Sequence, residues 1–355
     1  MDSNMKVPVY IQIKNDILSD IRSGKYPEEA PLPAVNVIAQ KAGVSVRTAY
    51  LAIQELIKDG VCFKRPKKGT YVGNPANLVK HPVCAVWTEY DAESPFERPL
   101  SSIFYFGLLQ GSAACNITPV LVSDDPENVI KRYERSKEFN FMGVIVLDVK
   151  KFDATVELAK KFPDKKFFFL NYAVKNINQL PPNMTAIVND NYAGAYKMAE
   201  HIVASKCRDV LLLSTKLHDD DNTYRNRIKG ALAAFKDYSV DIPPENVVEL
   251  EASGQGKKAF LFTIKRLRAG NCPRTIFCVN DLLAEGVAQA LAEEKVDDVM
   301  ITGYDYLYPF ISQKWKFATV KVPYTKMVTE ALRLLCSEGP VRENVIKLQP
   351  EIKTY

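Results

Sequence analysis

Two sets of side chains in this 355-residue chain have the types and spacing for recognition chemistry. The first opens a helix and runs on into a basic hairpin: Ser45, Arg47, Thr48 and Tyr50, then Lys64, Arg65, Lys67, Lys68, Gly69 and Thr70. A helix enters the major groove of DNA with its N-terminal residues toward the base edges, and its first amides favour phosphate. Lysines and arginines around a tight turn suit backbone phosphates or the minor groove. The second set closes apolar runs: Trp87, Asn171 with Tyr172, Asn280 with Asp281, and Asp305. If those runs are parallel strands, ligands bind in the crevice beyond their carboxyl ends. Amides and carboxylates beside an aromatic face serve a polyhydroxylated small molecule, with hydroxyls on the acceptors and the C–H face on the ring.

Catalytic chemistry is poorly served. Gly254-Gln-Gly-Lys257 lacks the strand-loop-helix spacing and the Ser/Thr of a phosphate-binding loop. The three histidines (81, 201, 218) form no HExxH, and no GxSxG elbow occurs. His218-Asp219-Asp220-Asp221 reads as a solvated loop, since no second ligand cluster accompanies it. Seven scattered cysteines without a CxxC pair fit reduced thiols, so neither metal nor other cofactor is expected. No run reaches the roughly 18–20 apolar residues of a membrane-spanning helix, and Met1–Lys6 does not begin a signal peptide. These features point to a cytoplasmic protein that is not an enzyme.

The elements that position the two sets differ in kind. Residues 1–80 hold twelve Lys and Arg against seven Asp and Glu, so the whole net charge of +5 sits in the first quarter. There, Ile13, Ile17 and Ile21 mark one helix over 10–22, and Val35, Ile38, Ala39 and Ala42 a second that Gly43 ends. Ser45 caps a third over 46–59, facing inward through Ala49, Ile53, Leu56 and Ile57. Strands at 61–64 and 70–72 then flank Arg65-Pro-Lys-Lys-Gly. Gly73–Pro82 reads as a linker. From Val83 onward, eight apolar strands (83–87, 117–123, 143–147, 166–172, 185–189, 209–214, 275–280, 299–305) alternate with helices such as 100–115, 190–204, 225–238, 256–269 and 281–293. Near-continuous apolar strands between helices predict an α/β body with doubly wound parallel sheets.

Residues 7–73 resemble the winged helix-turn-helix domain of GntR-family transcription regulators. The resemblance is carried by Pro8-Val-Tyr-Ile-Gln-Ile13, Leu32-Pro33, Gly43-Val44-Ser45, Thr48, Asp59-Gly60 and Gly69-Thr70-Tyr71-Val72. The chain departs from that pattern where Ala34 and Asn36 replace Ser and Arg, where Val46 replaces the Arg after the turn serine, and where Lys67 replaces the first wing glycine. Residues 83–350 resemble the periplasmic-binding-protein-like sensing domain of LacI-type repressors, through Phe141–Leu147, Val188–Gly194, Arg227-Ile-Lys-Gly230, Phe277–Asp281 and Gly303-Tyr-Asp305. A GntR head on such a body is similar to the arabinose-repressor subgroup.

The resemblance implies an operator-binding head (1–73), a linker (74–82) and a two-lobed sensing and dimerisation body (83–355), with lobe one about 83–186 and 322–340 and lobe two about 187–321 and 341–355. It places Phe104, Tyr105, Asn171, Arg227, Asp281, Asp305 and Tyr324 in an effector pocket, beside Trp87 and Asn280. The function so implied is a dimeric repressor that binds double-stranded operator DNA and senses a monosaccharide, controlling carbohydrate utilisation genes. A purine or other non-sugar effector is the alternative.

Overall fold

The computed structural model describes residues 8–73, 81–88, 99–123, 125–136, 139–147, 149–173, 177, 179–216, 221–307, 317–337, 339 and 341–354. Most of the expected linker (74–80) and three members of the expected solvated loop (His218, Asp219, Asp220) lie outside the described residues.

The head is built on three helices. In α1 (Val9–Arg22) the stripe Ile13, Ile17 and Ile21 is buried, as its spacing requires. α2 (Val35–Ala42) stops because Gly43 takes the left-handed conformation at φ 65°. Ser45 then caps α3 (Val46–Lys58), its Oγ accepting the Thr48 amide at 3.1 Å. Ala49, Ala52, Ile53 and Leu56 face the core they share with α1 and α2. β1 (Cys62–Arg65) and β2 (Gly69–Val72) form an antiparallel hairpin with Arg65 opposite Gly69. Leu32 ties this hairpin to the joint before α2 through its amide on the Thr70 carbonyl at 2.9 Å.

Two six-stranded sheets form the rest. One contains β3 (His81–Trp87), β4 (Thr118–Val122), β5 (Phe139–Val146), β6 (Lys166–Asn171), β7 (Met184–Asn189) and β13 (Val345–Leu348), in the order β13-β7-β6-β5-β3-β4. The other contains β8 (Val210–Thr215), β9 (Val247–Leu250), β10 (Thr275–Cys278), β11 (Met300–Asp305), β12 (Ala318–Lys321) and β14 (Glu351–Lys353), in the order β14-β12-β11-β10-β8-β9. Every residue of β7 and β8 is buried, which explains their unbroken apolar runs. Between the strands run α4 (Pro99–Cys115), α5 (Pro126–Glu134), α6 (Phe152–Lys161), α7 (Asn191–Ala204), α8 (Thr223–Asp237), α9 (Gln255–Arg268), α10 (Asp281–Glu293) and α11 (Tyr324–Leu335). By packing, the chain divides into two units, residues 1–85 with 110–120 and 125–143, and residues 86–109 with 121–124 and 144–355.

The eight expected body strands all form. β9, β12, β13 and β14 were not anticipated from the pattern: they are three or four residues long, and β9, β13 and β14 are half-buried edge strands, with β12 next to the edge. They also move the expected lobe boundaries. β7 and β13 pair in the first sheet, so residues 184–189 and 345–348 belong there, and β14 alone of the last segment joins the second, antiparallel to β12.

At the hairpin tip, Lys67 holds a left-handed backbone at φ 62°, a conformation glycine adopts without the steric cost of a Cβ. Replacing Lys67 by glycine is expected to raise the unfolding free energy by about 0.5–1 kcal/mol, after the added chain entropy is offset. Denaturant unfolding checks this, and a loss of stability would mean that the lysine makes a stabilising contact.

Candidate functional site

The basic set surrounds the start of α3 and the hairpin. The Ser45 and Thr48 hydroxyls bond each other at 2.8 Å, so both side chains are engaged in the cap. Arg47 is exposed and Tyr50 is 44 % exposed. The Lys64 ammonium lies 5.3 Å over the Tyr50 ring, which joins the helix face to the hairpin. Arg65 is drawn back, its guanidinium 4.5 Å over Tyr71 and 5.3 Å over Phe63, with Glu29 at 3.1 Å. That ion pair is solvent-exposed and worth at most about 1 kcal/mol, so a phosphate can replace the carboxylate at small cost. Lys67, Lys68 and Gly69 stand exposed at the tip and Thr70 half-buried on β2. Glu29, Phe63 and Tyr71 are partners that the charge pattern alone did not reveal.

The second set gathers around Arg227, which α8 carries to the carboxyl ends of β10 and β11. Its guanidinium, 1 % exposed, pairs with Asp305 Oδ1 at 2.7 Å. It also donates through Nε to Asn191 Oδ1 at 2.9 Å and through Nη1 to the Val279 carbonyl at 2.6 Å. Tyr304 lies 3.7 Å beneath it and Tyr224 at 5.3 Å. A buried charge needs this completeness of partners, because leaving one unpaired costs several kcal/mol. Asp305, at φ 100°, ends β11 and also accepts the Tyr324 hydroxyl on Oδ1 at 2.7 Å. Phe104 packs edge-on against Tyr324, ring centres 5.4 Å apart. Burial and the Asp305 charge hold the Tyr324 phenol well above its ordinary pKa, so it remains a donor.

Asn280 and Asp281 divide the work at the start of α10. Asn280 Oδ1 caps the helix through the Leu283 amide at 2.9 Å, while its Nδ2 donates to Tyr224 and Gln255, each at 2.8 Å. Asp281 is fully buried, and both its oxygens are engaged, Oδ1 by the Thr319 hydroxyl and Oδ2 by the Leu307 amide, each at 2.6 Å. Gly303 has no room for a side chain, since a Cβ there would overlap Asp281 Oδ1. Burial lifts the Asp281 pKa to about 8 against the pull of those two bonds.

The structure thus brings Phe104, Arg227, Asn280, Asp281, Asp305 and Tyr324 into one connected region. Asn171 is buried at the end of β6 with φ 79°, and Tyr105 is half-buried on α4. Trp87 ends β3 under the Lys151 ammonium, 5.3 Å from its ring, and its buried indole N–H has no partner among the described residues. Asn191, Tyr224, Tyr304 and Thr319 went unnoticed as members of the site. Asn191 and Tyr304 stand inside the stretches 188–194 and 303–305, so neighbourhood was their one signal in the sequence. Beside Tyr224 a cavity of about 510 Å³ opens, lined also by Ser214, Thr215, Asp221 and Arg225.

Two outcomes are expected. Arg227→Met should cost about 3–5 kcal/mol of unfolding free energy, because Asp305 is left buried without its cation; denaturant titration reads this, and a loss below 1 kcal/mol would refute it. Asp281 has a folded pKa of about 8 against an ordinary 3.8. Its contribution to stability is therefore full below pH about 4 and is lost as pH rises through about 8. Asp281→Asn should flatten the fall in thermal midpoint between pH 6 and 9; an unchanged slope would refute the assignment.

Comparison with known proteins gives independent findings. Residues 9–72 match the model for bacterial regulatory proteins of the gntR family, and residues 199–352 match a periplasmic binding protein-like domain. An arabinose metabolism transcriptional repressor from Geobacillus stearothermophilus is 22 % identical over 347 residues, covering 93 % of this chain and 90 % of that protein. The HTH-type transcriptional repressor PurR of Mannheimia succiniciproducens is 22 % identical over 235 residues, covering 64 % of this chain and 68 % of its own. A LacI family transcriptional regulator from Enterococcus faecium, solved with bound ribose, superposes with a TM-score of 0.58 at 19 % identity, covering 77 % of this chain and 97 % of that one. The exposed basic face on α3 and the hairpin, and the buried Arg227-centred cluster at the strand ends, thus fall in two domains of known type: the chain joins a GntR-family helix-turn-helix domain to a periplasmic-binding-protein-like domain.

Proposed function

We propose that the chain is a ligand-responsive transcription regulator, a repressor that holds operator DNA with residues 1–73 and senses a monosaccharide in the crevice of residues 83–355, with 74–82 as linker. The observation that carries this reading is Asp305. Arg227 and Tyr324 both hold its Oδ1, which leaves Oδ2 as a pre-oriented acceptor for a sugar hydroxyl. Arg227 orients that carboxylate through Nη2, with Nε on Asn191 and Nη1 on the Val279 carbonyl, and its guanidinium has two further N–H groups that can serve the ligand. The relative named for arabinose metabolism and the neighbour holding ribose support a pentose or similar sugar. The relative named PurR favours a second reading, a purine effector on the same architecture.

The mechanism is a coupling free energy between crevice and head. Ligand binding favours one arrangement of the body, the geometry of a homodimer changes with it, and so does the spacing of the two recognition helices. A coupling of about 1–3 kcal/mol alters operator affinity about 5–150-fold. The target genes would serve carbohydrate use, and the protein would act in the cytoplasm without catalysing a reaction. Among the described residues no helix is long and apolar enough to cross a membrane.

A thermal-shift screen of the purified chain against monosaccharides, sugar phosphates and nucleobases tests this. A bound monosaccharide at a hundred times its dissociation constant adds about 2.7 kcal/mol of stability, and Asp305→Asn should abolish that shift while DNA binding persists in a gel-shift assay. A response confined to nucleobases would replace the effector class. Undiminished sugar binding by Asp305→Asn would remove Asp305 from the site.

A further inference from the structure

We infer that Val46 is a specificity-determining residue that reads the C5 methyl group of a thymine in the operator, next to a base pair read by Arg47. The inference rests on the proposed DNA-binding role of the head and deepens it, from a basic helix on a groove to a defined chemical group on a defined base.

Three observations carry it. Val46 is the first residue of α3, the end of the helix that faces base edges, and it is 52 % exposed. Its hydroxylic neighbours are turned to the helix cap, where Ser45 and Thr48 bond each other at 2.8 Å and Ser45 also takes the Thr48 amide. The exposed side chains among the first five residues of α3 are Val46, Arg47 and Tyr50, which at about 100° per residue share about 100° of the helix circumference. Leu51, also exposed, lies about 140° round from Val46.

Chemistry then settles what each can read. Arg47, which has no ion pair or hydrogen bond among the described residues, offers a fork suited to guanine O6 and N7. The Tyr50 ring supports Lys64, which directs an ammonium toward the phosphates flanking the groove. Val46 has neither donor nor acceptor, so it cannot sense the hydrogen-bonding pattern of a base pair. In the major groove the one apolar group is the thymine methyl. A valine at that position therefore distinguishes a pair that carries the methyl from one that does not, and an arginine in its place would select guanine.

The test uses the full chain. Operator duplexes are selected from a random pool, and each thymine is then replaced in turn by deoxyuridine, which removes the methyl and keeps the pairing. One position per half-site is expected to lose about fourfold in affinity, the worth of one buried methyl. That loss should vanish with Val46→Ala and persist with Val46→Thr, which keeps a methyl on Cβ. The inference is overturned if no thymine is sensitive to deoxyuridine, or if the sensitivity survives in Val46→Ala. A pool from which no sequence is enriched would overturn the DNA-binding reading itself, and the inference with it.

Discussion

The pairing of Arg227 with Asp305 is the constraint around which the body is arranged. A guanidinium with 1 % exposure is tolerable only where its donors meet acceptors and its faces meet rings. Those partners come from distant parts of the chain: Asn191 from the start of α7, the Val279 carbonyl from the end of β10, and Asp305 and Tyr304 from β11. Tyr324 from α11 closes the circle on Asp305. One ion pair therefore demands that two strand ends, of β10 and β11, meet the starts of α7, α8 and α11.

Asp281 shows the opposite solution to the same problem. It has no cation of its own, only the Thr319 hydroxyl and the Leu307 amide, and its environment favours the neutral carboxyl. Two aspartates that look equivalent in the sequence, each closing or following an apolar strand, thus do different things. Asp305 is held through Oδ1 by Arg227 and Tyr324, while Asp281 braces the loop after β11 through the Leu307 amide. Spacing cannot separate these environments because the Asp281 partners, Leu307 and Thr319, arrive from 26 and 38 residues further on.

Much of the fold was legible because burial leaves a strong pattern. The all-buried strands β7 and β8 read as unbroken apolar runs, and the head helices read as stripes at Ile13, Ile17 and Ile21 and at Ala49, Ile53 and Leu56. The short strands β9, β13 and β14 were not legible, since their residues are half in water and alternate with nothing. Among the site residues, strand-end position alone pointed to Asn171, Asn280, Asp281 and Asp305. Arg227, Phe104, Tyr105 and Tyr324 needed the family resemblance, because a helix interior or helix start gives no local sign of facing a crevice. Tyr224, whose role depends on Asn280 arriving from elsewhere, had no local sign at all, and Asn191 had only its place in the stretch 188–194.

The chain passes between its two sheets three times, after β7 at Asp190, between β12 and α11 at 322–323, and between β13 and β14 at Gln349-Pro350. The first and last of these crossings are joined directly, Gln349 Nε2 donating to Asp190 Oδ2 at 3.2 Å, and the last is only two residues long. The two sheets are therefore held together covalently three times over, and a break in the chain at any one crossing would leave them joined by the other two.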